Sequence, residues 1–134
     1  MRRILVIDDD QAVRGAITIV LEADGFEVFT AEDGFAGLEL SRASDFDLVI
    51  VDLFMPRLGG LDTIRQLRER QPSLPIIAMS GSTPRRATDP ADLLESAAQL
   101  GEVIKMPKPF RANDLLKIVH GAVGAAAGSQ GVIP

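Results

Sequence analysis

Three carboxylates, one hydroxyl and one ammonium stand in this sequence at the ends of short apolar runs. Asp8 and Asp9 follow RILVI, Asp52 ends LVIVD, Ser80 ends PIIAMS, and Lys108 comes just after the weaker run 102–106. Carboxylates that converge on one point repel one another and raise one another's pKa unless a cation neutralises them. The natural guest of Asp8, Asp9 and Asp52 is a hard divalent ion such as Mg²⁺. That ion takes about six oxygen ligands, commonly one or two of them carboxylates, and leaves the rest to water and phosphate oxygens. Zinc has no ligand set here, because the chain lacks cysteine and its one histidine, His120, lies far along the last helix. An ionised aspartate beside such an ion and an ammonium can attack a phosphoryl group in line, giving an aspartyl phosphate. Asp52 is the candidate nucleophile, Lys108 the point-charge cation and Ser80 a hydroxyl donor to a phosphoryl oxygen.

Such a site needs several strand ends brought together, and the hydrophobic pattern supplies them. Residues 3–7 read as a buried strand, 26–31 as an alternating one, 47–53 and 75–80 as the third and fourth, and 102–106 as a weaker fifth. Residues 11–24 place Val13, Ala16, Ile17, Val20 and Leu21 at helical spacing, with Asp10 as N-cap and Gly25 as left-handed stop. Further helices are expected over 33–44, 60–71, 91–100 and 111–123. Strands alternating with helices imply right-handed crossovers and a parallel sheet covered on both faces, a doubly wound α/β sandwich. In such sheets the site lies at the carboxyl ends of the strands. Residues 1–123 form one domain on this reading, and 124–134 (GAAAGSQGVIP), small and flexible in composition, form a loose tail.

The bulk numbers restrict the function classes. The 134 residues fit one domain, and 46% hydrophobic with 25% charged residues is ordinary for a soluble globular protein. A net charge of −5 disfavours direct nucleic-acid or anionic-lipid binding by the whole-molecule field. No apolar run approaches the roughly 18 residues of a membrane span. Without cysteine or a basic-then-apolar leader, a reducing cytoplasm is the expected compartment.

Taken together, the motifs resemble those of a response-regulator receiver domain of two-component signalling, over residues 1 to about 123. The matching pieces are ILVIDDD (Asp8, Asp9), VDLFMP (Asp52, Met55, Pro56), Gly59–Gly60, IIAMSGS (Ser80) and KPF (Lys108, Pro109, Phe110). The resemblance implies a flavodoxin-like five-stranded sheet in the order 2-1-3-4-5. It implies that Asp8 and Asp9 help hold Mg²⁺, that Asp52 is ligand and phosphoryl acceptor, and that the backbone carbonyl of Phe54 completes the protein ligands. It also implies a switch role for Ser80 and a cis peptide before Pro109. The donor would be a histidine kinase or histidine phosphotransfer protein. Since the chain ends near the last helix, a stand-alone receiver acting through contact with a downstream protein is expected, self-phosphorylating and self-dephosphorylating rather than acting as an enzyme.

Two departures from the family pattern bear on the output. Lys105 stands where the family has an aromatic switch residue, and a lysine cannot replace that ring in an apolar slot. The stretch from Ser80 to Gly101 is longer than usual and carries Pro84, Arg85, Arg86 and Pro90, which makes it a candidate recognition surface. The alternative function is therefore a phosphorylation-independent interaction module. An aspartate-nucleophile phosphatase of the haloacid-dehalogenase type is weighed on Asp8 and Asp10, but Ala12 stands where that motif wants Thr or Val. A flavin site is disfavoured by the acidic first turn. Among single residues, Asp10 reads as a helix cap, Phe54 as a bulky shield beside the acceptor, Arg85 and Arg86 as solvated, and His120 as a helix-surface residue without a role.

Overall fold

The computed structural model describes residues 2–55, 58–81 and 103–128, the side chains of 125–128 excepted. In chain order the elements are β1 (Arg3–Ile7), α1 (Gln11–Ala23), β2 (Glu27–Ala31), α2 (Gly34–Ala43), β3 (Leu48–Asp52), α3 (Gly60–Arg70), β4 (Ile76–Ser80), β5 (Val103–Pro107) and α4 (Ala112–Gly128). All strands are parallel, in the order β2-β1-β3-β4-β5, as the resemblance implies. The expected helix at 91–100 and the long loop with Arg85 and Arg86 lie outside the described residues.

Strand side chains alternate between faces, so each central strand feeds two cores. Ile4 and Val6 of β1, Leu48 and Ile50 of β3, and Ile77 and Met79 of β4 pack with Ile17 and Leu21 of α1 and Leu115 and Val119 of α4. Leu5, Ile7, Val49, Val51, Ile76 and Ala78 turn the other way, against Leu38 of α2 and Ile64 and Leu67 of α3. This two-sided burial is why the strands read as continuous apolar runs rather than as alternating ones. Each fully buried Leu or Ile contributes roughly 1.5–3 kcal/mol relative to exposure.

The helix boundaries follow local chemistry. Asp10 caps α1, accepting from the N–H groups of Ala12 at 2.9 Å and Val13 at 3.4 Å. At the other end Gly25 has φ 96°. There Phe26 N–H donates to the Leu21 carbonyl at 3.1 Å and Gly25 N–H to that of Glu22 at 3.0 Å, the paired bonds of a left-handed helix stop. Asp33 caps α2 through the N–H of Ala36. The end of α4 differs from expectation. The helix runs through Gly128 and takes in residues 124–128 of the stretch read as a tail. Ala125, Ala126 and Ala127 are the strongest helix formers available, and their small size, read as flexibility, also carries the highest helix propensity.

Candidate functional site

Ladder bonds that continue past the strand ends fix the backbone of the site. Asp8 N–H donates to the Ala31 carbonyl at 3.1 Å, Leu53 N–H to that of Met79 at 2.9 Å, and Lys108 N–H to that of Ser80 at 2.7 Å. The register pairs Ile7 with Val51, so Asp8 and Asp52 are the next residues outward on adjacent strands. From there Asp8 continues the parity of Ile4 and Val6, and Asp52 that of Leu48 and Ile50, on the α1/α4 side of the sheet.

Both oxygens of each buried carboxylate have neighbours. The fully buried Asp8 accepts from the Asp10 N–H at Oδ1, 2.9 Å, and from Lys108 Nζ at Oδ2, 3.0 Å. Asp52, 4% exposed, accepts from the Phe54 N–H at Oδ1, 3.3 Å, and its Oδ2 lies 3.5 Å from Lys108 Nζ. Asp9 is exposed. Oxygen atoms of Asp8, Asp9 and Asp52 lie within 4.8 Å of one another. They border a cavity of about 210 Å³ lined by Asp8, Asp9, Asp10, Asp52, Phe54, Gly81 and Lys108.

The electrostatics follow from burial. Asp52 is pushed up to about 6, first by loss of water and next by the charge of Asp8, while Lys108 and the Phe54 N–H pull it back. Burial works against the charged form of Lys108, yet Asp52 and Asp8 together raise its pKa. One ammonium thus faces two buried acids and a third exposed one. The donor set is all oxygen and anionic, which fits a hard divalent ion and not a thiophilic one. Asp8, Asp9 and Asp52 could hold that ion.

The remaining expectations fall out unevenly. Ser80 ends β4 and is buried, but Gly81 and not Ser80 lines the cavity. Ser80 follows the parity of Ile76 and Ala78, on the α2/α3 side of β4, and touches the site through its carbonyl bond to Lys108. Phe54 borders the cavity and supplies an N–H to the Asp52 carboxylate. The Lys108–Pro109 peptide is cis. Lys105 is exposed on β5, an edge strand, beside Ala78 of β4.

Two residues make contacts that the sequence did not announce, one of them His120, which reads there as a surface residue without a role. His120 Nε2 lies 2.6 Å from Asp24 Oδ2, with its ring 5.8 Å from that of Phe26, so it joins α4 to the end of α1. Arg14 Nη1 donates to the Asp8 carbonyl at 2.6 Å. Asp24 lies 96 residues from His120, and Asp8, six residues before Arg14, lies outside the helix, so no helical spacing rule links either pair.

A profile of the response regulator receiver domain matches residues 4–120. Among curated proteins, the cell cycle transcriptional regulator CtrA of Caulobacter vibrioides is 33% identical over 132 residues, 98% of this chain and 54% of its own length. The response regulator MprA of Mycolicibacterium vanbaalenii is 38% identical over 114 residues, 85% of this chain and 47% of its own. The chain spans about half the length of these relatives. Among solved structures, the chemotaxis protein CheY4 of Vibrio cholerae superposes with a TM-score of 0.81 at 27% identity, covering 91% of this chain and 98% of that one. NtrX from Brucella abortus in complex with ADP superposes with a TM-score of 0.87 at 26% identity, covering 97% of this chain and 29% of that one. With the five-stranded fold, the acid cluster and these matches in hand, the chain belongs to the receiver domains of two-component response regulators.

Proposed function

We propose that this receiver accepts a phosphoryl group on Asp52 from a phosphohistidine of a histidine kinase or phosphotransfer protein, with Mg²⁺ held by Asp8, Asp9, Asp52 and the Phe54 carbonyl. The observation that carries the reading is the Asp52 carboxylate, buried at a strand tip, facing a cavity it shares with Asp8, Asp9, Asp10 and one ammonium. In the transfer an Asp52 oxygen forms the new O–P bond. The P–N bond breaks, its electron pair stays on the imidazole, and that ring takes up a proton. When bound, the cation offsets charge on the phosphoryl oxygens. Lys108 adds a second positive charge from the Asp52 side, and the Phe54 N–H keeps the other carboxylate oxygen in place.

The Ser80 carbonyl bond to Lys108 ties the β4 tip to the site, so a shift in either moves the other. Output from this domain runs through contacts with a downstream protein, without direct nucleic-acid or membrane binding by the domain itself, in the cytoplasm. Among the described residues no helix is long and apolar enough to cross a membrane. Water attack on the acyl phosphate resets the domain, so it acts as a signalling acceptor rather than as an enzyme on an outside substrate. Incubation with acetyl phosphate and Mg²⁺ should add one phosphoryl mass to the wild type and none to Asp52→Asn. Equal uptake by the variant sinks the assignment.

The exposure of Lys105, where the family has its switch aromatic, favours one second reading, an interaction module indifferent to phosphorylation. Amide hydrogen exchange over β4 and β5 separates the two. Identical protection with and without a beryllofluoride mimic supports the second reading, and altered protection supports the switch.

A further inference from the structure

Arg14 stands where helix electrostatics disfavour it. It is the fourth residue of α1, near the positive end of the helix dipole, where a cation is unfavourable and a carboxylate would be stabilising. The half-buried guanidinium turns back out of the helix and donates to the Asp8 carbonyl at 2.6 Å. That carbonyl belongs to the first residue beyond β1. The backbone of Asp8 is therefore held on both sides. The N–H of Asp8 is held by the Ala31 carbonyl, and its carbonyl by Arg14. The two acids of the pair differ in how they are fixed. The Asp8 carboxylate is tied by Asp10 and Lys108, whereas Asp9 is exposed, and among the described residues no hydrogen bond or ion pair holds its side chain. The place of the Asp9 carboxylate is thus set by its backbone.

We infer that Arg14 is a positioning residue for the acid cluster. By pinning the Asp8–Asp9 peptide it sets the distance at which the Asp9 carboxylate meets those of Asp8 and Asp52. The inference rests on the reading of this cluster as a cation site. It opposes a purely electrostatic expectation in sign. A guanidinium beside three acids competes with a bound cation, so removing its charge alone would tighten cation binding. Removing a positioning bond loosens it, and partners behind metal ligands are typically worth about 10–100-fold in affinity.

The test is calorimetric titration of Mg²⁺ into the unphosphorylated full chain, with circular dichroism as a check on folding. Arg14→Met should weaken binding about 10-fold, and Arg14→Lys, which keeps a donor of similar reach, should recover part of the loss. In phosphorylation by acetyl phosphate the Met variant should need more Mg²⁺ for half-maximal rate, with the rate at saturating Mg²⁺ little changed. Unchanged or tighter binding by Arg14→Met, or an equal loss in both variants, overturns the inference. Should Arg14→Met not fold, Arg14→Gln stands in for it under the same criteria. Absence of Mg²⁺ binding by the wild type would instead overturn the proposed function.

Discussion

Burial sets Asp52 against its own charge. The metal-free folded protein holds this carboxyl at about 6 against an ordinary value of 3.8, so folding favours its protonated form. The stability associated with that proton is fully present below the unfolded pKa, near 4, and is lost as pH rises through about 6. At neutral pH the metal-free site therefore carries an ionised group whose cost is on the order of 2–3 kcal/mol. Asp52→Asn keeps the shape and removes the charge. In EDTA the variant should be more stable than the wild type in urea unfolding at pH 7.5, and the difference should shrink towards zero as pH is lowered to about 4. A variant equally stabilised or destabilised at both pH values would show that burial of charge is not what perturbs Asp52. The same reasoning makes the site receptive: a cation that relieves this cost gains affinity from it.

The elements bring the acids together only because they pack closely at one point. The start of α3 lies so near the β3 tip that a Cβ on Gly60 would sit 2.4 Å from the Asp52 carbonyl oxygen and 2.5 Å from Leu53 Cα. Both are backbone atoms and cannot swing aside. Gly60→Ala should cost about 1–3 kcal/mol in thermal or urea unfolding and slow phosphorylation of Asp52. Gly15→Ala, in the middle of α1 with nothing within 4 Å of the added atom, should instead gain about 0.5–1 kcal/mol. A reversed order of the two would contradict the packing at the β3 tip. The strands, and the acids at their tips, were legible because two-sided burial writes itself as apolar runs that stop abruptly at Asp8 and Asp52. The caps were legible too, since Asp10 and Gly25 act on their own helix. What the sequence hid was contact across elements: Arg14 folding back on Asp8, and His120 meeting Asp24. The extension of α4 was missed for another reason, because an alanine run reads equally as flexible linker or as helix.

At the scale of the molecule the site sits where both cores end, so a cation held there is coupled to the whole cooperative unit. α1 and α4 share one core with β1, β3 and β4, and the His120–Asp24 pair joins their ends at 2.6 Å. β1 and β3, which carry the acids, also belong to the second core with α2 and α3. Unfolding either face scatters Asp8, Asp9 and Asp52, and an unfolded chain offers no such cluster. A ligand that binds only the folded state stabilises it by mass action, about 2.7 kcal/mol when present at a hundred times its dissociation constant. For a domain of this size that is a rise of about 10 °C in Tm. The net charge of −5 means that any salt relieves some self-repulsion, so the comparison must be made at matched ionic strength. Saturating MgCl₂ should raise Tm well beyond NaCl of equal ionic strength, and Asp9→Asn, which leaves the buried Asp8–Lys108–Asp52 contacts in place, should lose most of that excess. An equal rise with both salts, or an undiminished rise in the variant, would mean that Mg²⁺ acts by screening and not through the three acids.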